Sequence, residues 1–305
     1  MEWDRVRVFL AVARSGQILG AARLLGLNHA TVGRQLTALE EEVQTKLVER
    51  HTDGCILTKP GEAMLVVAEK VESELLKFEA GLSGLSGATR GTVRVGAPDG
   101  LGNYFLAPSL AEFSSAHPEL IVQLVPLPRS FSLSRREADI AIVLDRPVQG
   151  NLIIQKLTDY SVGLYASSEY LANHPPIHRE EDLASHLFVT YVDDLVYTPA
   201  LDYGRKLHVR TPLRFECGSV VGQMEAVRTG HGVALLHDYA ARHFPNLIRI
   251  LPRIQFIRTY WMISHPDTHA SHRVAEVRRH IAEAVNTERT SFVLETRGRK
   301  AKATT

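Results

Sequence analysis

Cysteine is nearly absent. Two thiols in 305 residues cannot build a disulfide scaffold or a four-cysteine zinc site. Long hydrophobic runs are missing too: the longest unbroken ones, Val8–Ala13 and Ala63–Ala68, fall far short of the roughly 20 residues a membrane-spanning helix needs. No basic-then-apolar leader opens the chain, so no signal peptide is expected. Charge of one sign is also lacking. The net value of +1 announces neither nucleic acid nor membrane, although a small basic face can sit within a neutral total. These absences fit a cytoplasmic address with no membrane contact. What is present, 45% apolar and 23% charged residues, is the balance of an ordinary globular protein and excludes wholesale disorder. At about 150 residues per domain the length predicts two or three domains.

The first stretch is helical. Val6, Phe9, Leu10 and Ala13 recur at helical spacing, then Ala21, Ala22, Leu24 and Leu25, then Gly26. A second series, Val32, Leu36, Leu39, Val43 and Leu47, steps by four, three, four and four, which lays one stripe down a helix face. Asn28 is placed to cap that helix. Two short helices meeting at a glycine, with small Ala22 at the crossing, are what a helix-turn-helix requires. Val32 and Leu36 then face inward, and Thr31, Arg34 and Gln35 face out near the start of the second helix, where base edges are read. Glu40, Glu41 and Glu42 lie at its far end, and without them the segment is basic. Glu49–Lys59 reads as a β-hairpin wing turning at Thr52-Asp53-Gly54, with Arg50, His51 and Lys59 near phosphate. A plain helical hairpin would use the same pattern without any DNA.

Pro60 suits a first helical turn. Met64, Ala68, Val71, Leu75, Phe78, Leu82 and Leu85 then alternate steps of four and three, a heptad seam suited to dimerisation. Leu65, Val66, Val67 and Leu76 lie off the seam, so two faces of this helix carry apolar residues. Gly81, Gly84 and Gly87 are expected to end it, and Ser83–Arg90 reads as a hinge. From Thr92 strands and helices alternate. That predicts a mostly parallel sheet covered on both faces, in two small subdomains with a cleft between them. The expected strands are Thr92–Ala97, Leu120–Val125, Asp139–Leu144, Ser161–Ala166, Leu187–Tyr191, Leu213–Cys217, Val233–Leu236 and Ile254–Ile263, followed by a helix over Ala270–Val285.

The text FLAVARSGQILGAARLLGLNHATVGRQLTALEEEVQTKLVER resembles the LysR-type transcriptional regulators, as do LTKPGEAML, DIAI at Asp139–Ile142 and VRTGHGVALL at Val227–Leu236. The resemblance is strong at the N-terminus and looser beyond Gly91. It implies an α+β multidomain chain. A winged helix-turn-helix would occupy residues 1–59, and a dimerisation helix and hinge 60–90. An α/β effector domain like the periplasmic binding proteins would occupy 91–290, as subdomains 91–162 plus 266–290 and 163–265, before a basic, disordered tail at 291–305. It also implies double-stranded operator DNA, a small-molecule effector, a homodimer assembling to a homotetramer, and RNA polymerase as a further partner. Gly33 stands where the family often has serine, and Asn28-His29 where Ser-Gln is usual; His231 replaces an apolar residue and His237 a proline. Asn28, His29, Thr31, Arg34, Gln35, Arg50 and Lys59 are the expected DNA-binding set.

No reaction is expected. Gly96–Gly102 follows a strand like a dinucleotide loop but lacks the third glycine, and neither a Walker loop nor a Gly-x-Ser-x-Gly elbow occurs. His265, His269 and His272 read as a solvated helix entry rather than a metal site, because no cysteine or carboxylate completes them. No cofactor and no metal are assigned. The effector is expected at the C-terminal ends of strands: Asp99, Gly100 and Leu101, then Arg129 and Ser130, Tyr191 and Val192, and Cys217, Gly218 and Ser219. Two helix N-termini there would suit a small anionic ligand. Turn and capping duties are the plain alternative for these residues. Cys217, ahead of a helix, could carry a lowered pKa and serve a thiol-based redox sensor, but its only potential partner, Cys55, lies in the DNA-binding segment. A different class, a small-molecule-binding or enzymatic α/β protein that dimerises through its N-terminal helices, remains the other reading.

Overall fold

Glycines and one proline set the turns of the N-terminal half. In the computed structural model, residues 1–52, 54–86, 90–127, 138–148, 152–201, 207, 213–269 and 271–294 are described. They divide into two compact units, Met1–Ser86 and Gly87–Thr305.

In the first unit, helices α1 (Trp3–Ser15), α2 (Ile18–Leu25) and α3 (His29–Glu42) enclose Phe9, Val12, Ala21, Val32, Leu36 and Leu39, all with 0% exposure. Gly26 ends α2 in the left-handed conformation (φ 64°), which an L side chain resists. Asn28 Oδ1 then accepts from Ala30 N–H at 2.8 Å, capping α3 as its sequence position suggests. The wing forms as expected: β1 (Val48–His51) and β2 (Gly54–Leu57) pair antiparallel, with His51 opposite Gly54. Helix α4 (Lys59–Ser86) follows, with Pro60 in its first turn. Gly61 allows its close approach, since a Cβ there would lie 2.0 Å from the Leu47 carbonyl oxygen.

Two expectations about α4 need correction. The helix runs through Gly81 and Gly84 to Ser86, since a glycine costs only about 1 kcal/mol in a helix. The apolar seam also has two duties. Met64 and Ala68 pack into the first unit, while Val71, Leu75 and Phe78 are 45%, 42% and 66% exposed. The side chains of Leu76, Leu82 and Leu85 lie outside the described residues.

The second unit is one eight-stranded sheet. Its strands are β3 (Gly91–Pro98), β4 (Leu120–Leu127), β5 (Ile140–Val143), β6 (Ile153–Ser167), β7 (Phe188–Thr190), β8 (Arg214–Glu216), β9 (Val233–His237) and β10 (Leu247–Ser264), in the order β4-β3-β5-β10-β6-β9-β7-β8. The flanks are parallel, as expected, but the centre is not: β5 with β10, β10 with β6, and β6 with β9 all run antiparallel. The chain leaves the first subdomain along β6 and returns along β10, so these two strands oppose each other. They also belong to both halves. Trp261–Ser264 of β10 pairs with β5, and Val162–Ala166 of β6 pairs with β9. The subdomain boundaries expected at 162/163 and 265/266 therefore fall within and just beyond shared strands. Strand β10 begins at Leu247, ahead of the expected Ile254; Pro252 cannot donate to a ladder, and the register shift between Ile250 and Gln255 takes it out of pairing.

Helices cover both faces. Helix α5 (Asp99–Leu101) passes through a π turn at Gly102–Leu106 into α6 (Ala107–Ala116); α7 (Ser168–Asn173), α8 (Val220–Arg228), α9 (Asp238–Ala241) and α10 (Pro266–His269) follow. Helix α11 (His272–Thr287) buries Val274, Val277, Ile281 and Val285 at helical spacing. Helix α12 (Arg289–Phe292) seats Phe292 in the core at 0% exposure, so the ordered chain reaches beyond the expected start of the tail at 291. The basic residues Arg297, Arg299, Lys300 and Lys302 lie outside the described residues.

Candidate functional site

The exposed face of α3 is built by what its other face buries. With Val32 and Leu36 inward, Arg34 is exposed and Thr31 and Gln35 are half-buried beside it; Asn28 and His29 are exposed at the helix start. Arg34 Nη2 reaches Thr31 Oγ1 at 3.4 Å, which leaves most of its donors unused. Arg50, on β1, crosses to the same helix: its Nη2 donates to Thr37 Oγ1 at 3.1 Å and to the Gly33 carbonyl at 3.5 Å. No atom comes within 4 Å of a Cβ built on Gly33, so this face is open at that position. Lys59 stands exposed on the first turn of α4. Thr37, which positions Arg50, was not legible in sequence, because the wing's approach depends on tertiary packing.

Glu40 belongs to the scaffold. It is 4% exposed, and its Oε1 accepts from Leu47 N–H (3.0 Å) and Val48 N–H (3.1 Å), while Lys46 pairs with Oε2 at 2.8 Å. Burial pushes its pKa up, but these hydrogen bonds outweigh that and hold it below the usual value. Arg14 on α1 forks onto Glu72 of α4 at 3.2 and 2.5 Å, with both side chains mostly buried.

In the second unit a small cavity of about 10 Å³, room for about one water, is lined by Pro98, Asp99, Gly100, Leu144, Tyr191, Tyr197, Leu201, Val220, His237 and Tyr260. Of the expected effector residues, Asp99, Gly100 and Tyr191 line it. Ser219 adjoins it: its Oγ donates to Asp99 Oδ2 at 2.7 Å and accepts from Gly222 N–H at 3.3 Å as the cap of α8. Asp99 also accepts from Asn103 Nδ2 (2.8 Å) and, more distantly, from Val221 N–H (3.4 Å). Leu101 is fully buried and does not line the cavity, and Val192 lies beyond the end of β7, at the start of a short 3-10 turn, and does not line it. Cys217 is half-buried; its sulfur would lie 2.6 Å from a Cβ on Gly222, so it packs against the first turn of α8. Gly218 faces Leu195 rather than the cavity. Arg129 and Ser130 lie outside the described residues. Thr198 Oγ1 donates to Asp145 Oδ2, a second contact between the loops around the cavity.

Seven lining residues lie outside the expected set, and among them His237 stands where the family resemblance expects proline. It is 6% exposed, burial pushes its pKa down to about 4, and among the described residues its Nδ1 has no hydrogen-bond partner. Both cysteines are free. His269 uses both ring nitrogens, on Ser264 and Arg278, and His265 pairs with Asp267. Among the described residues no group of three metal-ligating side chains assembles, and no helix is long and apolar enough to cross a membrane.

Two family models match. Residues 3–62 match the bacterial regulatory helix-turn-helix protein, lysR family, and residues 86–286 the LysR substrate binding domain. The chain is 36% identical over 146 residues to the HTH-type transcriptional regulator DgdR of Burkholderia cepacia, covering 47% of this chain and 49% of that one; it thus spans about half the length of that relative. It is 26% identical to the Mau operon transcriptional activator of Paracoccus denitrificans, over 87% of this chain and 90% of that one. Its fold is similar to that of CrgA, a LysR-type transcriptional regulator from Neisseria meningitidis, with TM-score 0.56 and 21% identity over 93% of this chain and 98% of the other.

Proposed function

This chain belongs to the LysR family of DNA-binding transcriptional regulators with an effector-binding domain, and from that membership we propose that it reads operator DNA through α3 and the wing, under control of a small molecule in the cavity of its second unit. The observation that carries the DNA reading is the α3 face itself: Arg34 exposed beside Thr31 and Gln35, with Arg50 drawn in by Thr37 and the Gly33 carbonyl. Arg34 can fork onto guanine O6 and N7 or onto a phosphate, and Arg50 and Lys59 supply sequence-independent charge. Asn28 and His29 stand at the helix start, where backbone N–H groups meet phosphate. The cavity supports the effector reading by its position at strand ends between two subdomains joined by shared strands.

The exposed Val71, Leu75 and Phe78 on α4 support a homodimer through that helix. The family brings in the tetramer and the contact with RNA polymerase. The reading assigns no reaction to the chain and sets its work in the cytoplasm, where the operator is. Cys217 has a packing role in it. The test is affinity for a selected operator as a function of salt. Arg34→Ala should lose about 1–3 kcal/mol of specific binding, and Lys59→Ala should lower affinity on all sequences and reduce the salt slope by about one. Wild-type affinity and footprint in Arg34→Ala would contradict the assignment.

A further inference from the structure

We propose that base reading on α3 falls to His29 and Arg34, and that His29 selects guanine where the glutamine usual at its position would select adenine. This rests on the reading of the α3 face as the DNA surface and adds which side chains read bases, and which base. The residues of that face differ in what they still have to offer. Asn28 commits its Oδ1 to the Ala30 N–H as the cap of α3. Thr31 Oγ1 accepts from Arg34 at 3.4 Å, and Gln35 is half-buried. Thr37 Oγ1 and the Gly33 carbonyl hold Arg50. His29 is different. It is the first residue of α3, it is exposed, and among the described residues neither of its ring nitrogens has a hydrogen-bond partner.

The surroundings of His29 leave its ring free. Side chains three and four positions apart are neighbours on a helix. Here those positions are Val32, which is buried, and Gly33, where a Cβ would find no atom within 4 Å. A base edge can therefore approach the ring along the next turn. Glutamine reads adenine by presenting a donor and an acceptor side by side to N7 and the N6 amine. An imidazole cannot do so, because its two nitrogens point away from each other and only one faces a base at a time. A ring N–H meets two acceptors on guanine, O6 and N7, but on adenine it meets N7 beside a competing donor. Guanine is the better partner. Arg34 lies five residues on, about 7.5 Å along the axis, so the two side chains address different base pairs.

The test selects bound duplexes from a random library with the full chain, with His29→Gln and with His29→Ala, and then measures affinity for the selected site and for unrelated DNA. The expected wild-type site carries, in each half, one guanine that depends on Arg34 and a second that depends on His29. His29→Gln should replace the second guanine by adenine and keep the first. His29→Ala should lose preference at that one position and bind the selected site about fivefold more weakly, the scale of one net hydrogen bond, with a smaller loss on unrelated DNA. Unchanged preferences in His29→Gln would overturn the proposal. So would a loss in His29→Ala that is equal on selected and unrelated DNA, which would make His29 a phosphate contact. Both of those outcomes keep the α3 face as the DNA surface. Enrichment of no sequence by the wild-type chain would reject that reading together with the proposal.

Discussion

A buried ionisable side chain costs stability unless the fold answers it, and the two units answer in different ways. Glu40 is answered by two backbone N–H groups and Lys46. Glu40→Ala would leave the Leu47 and Val48 donors without their acceptor, a loss of about 2–3 kcal/mol for the first unit, to be checked by denaturant unfolding. His237 is answered by staying neutral. Its folded pKa of about 4 lies below the ordinary 6.5, so the stability it contributes is complete above pH 6.5 and is lost as pH falls through that interval. At about 1.4 kcal/mol per unit the loss is about 3 kcal/mol by pH 4. His237→Phe should flatten that part of the second unit's stability profile between pH 6.5 and 4. A variant with the wild-type slope there would contradict this account of the histidine.

Helix α4 divides its apolar residues between its own unit and the surface, and the surface share makes the prediction. Val71, Leu75 and Phe78 are exposed on a helix whose earlier turns are anchored by Ala68 and by the Arg14–Glu72 fork. Leu75→Glu should break the dimer, because each copy would bring an unpaired charge into the seam. Light scattering of Leu75→Glu at the wild-type mass would count against α4 as the interface. Element by element, α1 to α4, the wing, and strands such as β3 and β9 were legible, since local periodicity and turn residues suffice for them. The start of β6 at Ile153 and of β10 at Leu247 was not. Those segments mix charged residues and a proline into the strand, and only pairing across the molecule shows that they extend. The antiparallel centre of the sheet was illegible for the same reason.

Across the whole molecule the place where strand ends converge was more legible than the contacts made there. Asp99, Gly100, Tyr191 and Ser219 fall at the cavity because strand ends converge there. That Asp99 and Ser219 bond to each other, 120 residues apart, is invisible to any local pattern. Among the contacts that hold the cavity loops together are Asp99 with Ser219 and Asp145 with Thr198. Removing the second with Thr198→Val should quicken amide hydrogen exchange in the segments around Leu144 and Leu201 and leave the first unit unchanged. Equal exchange in variant and wild type would show that this contact does not restrain the loops.

The central claim, that the α3 face with Arg34 reads DNA sequence, is tested most directly by selecting bound duplexes from a random library with the full chain and with Arg34→Ala. The account predicts that the wild-type chain enriches a two-fold symmetric site with half-sites about 34 Å apart centre to centre, and that Arg34→Ala loses preference at a fixed position in each half. Enrichment of no sequence by the wild-type chain, or of the same site with the same preferences by Arg34→Ala, would contradict it.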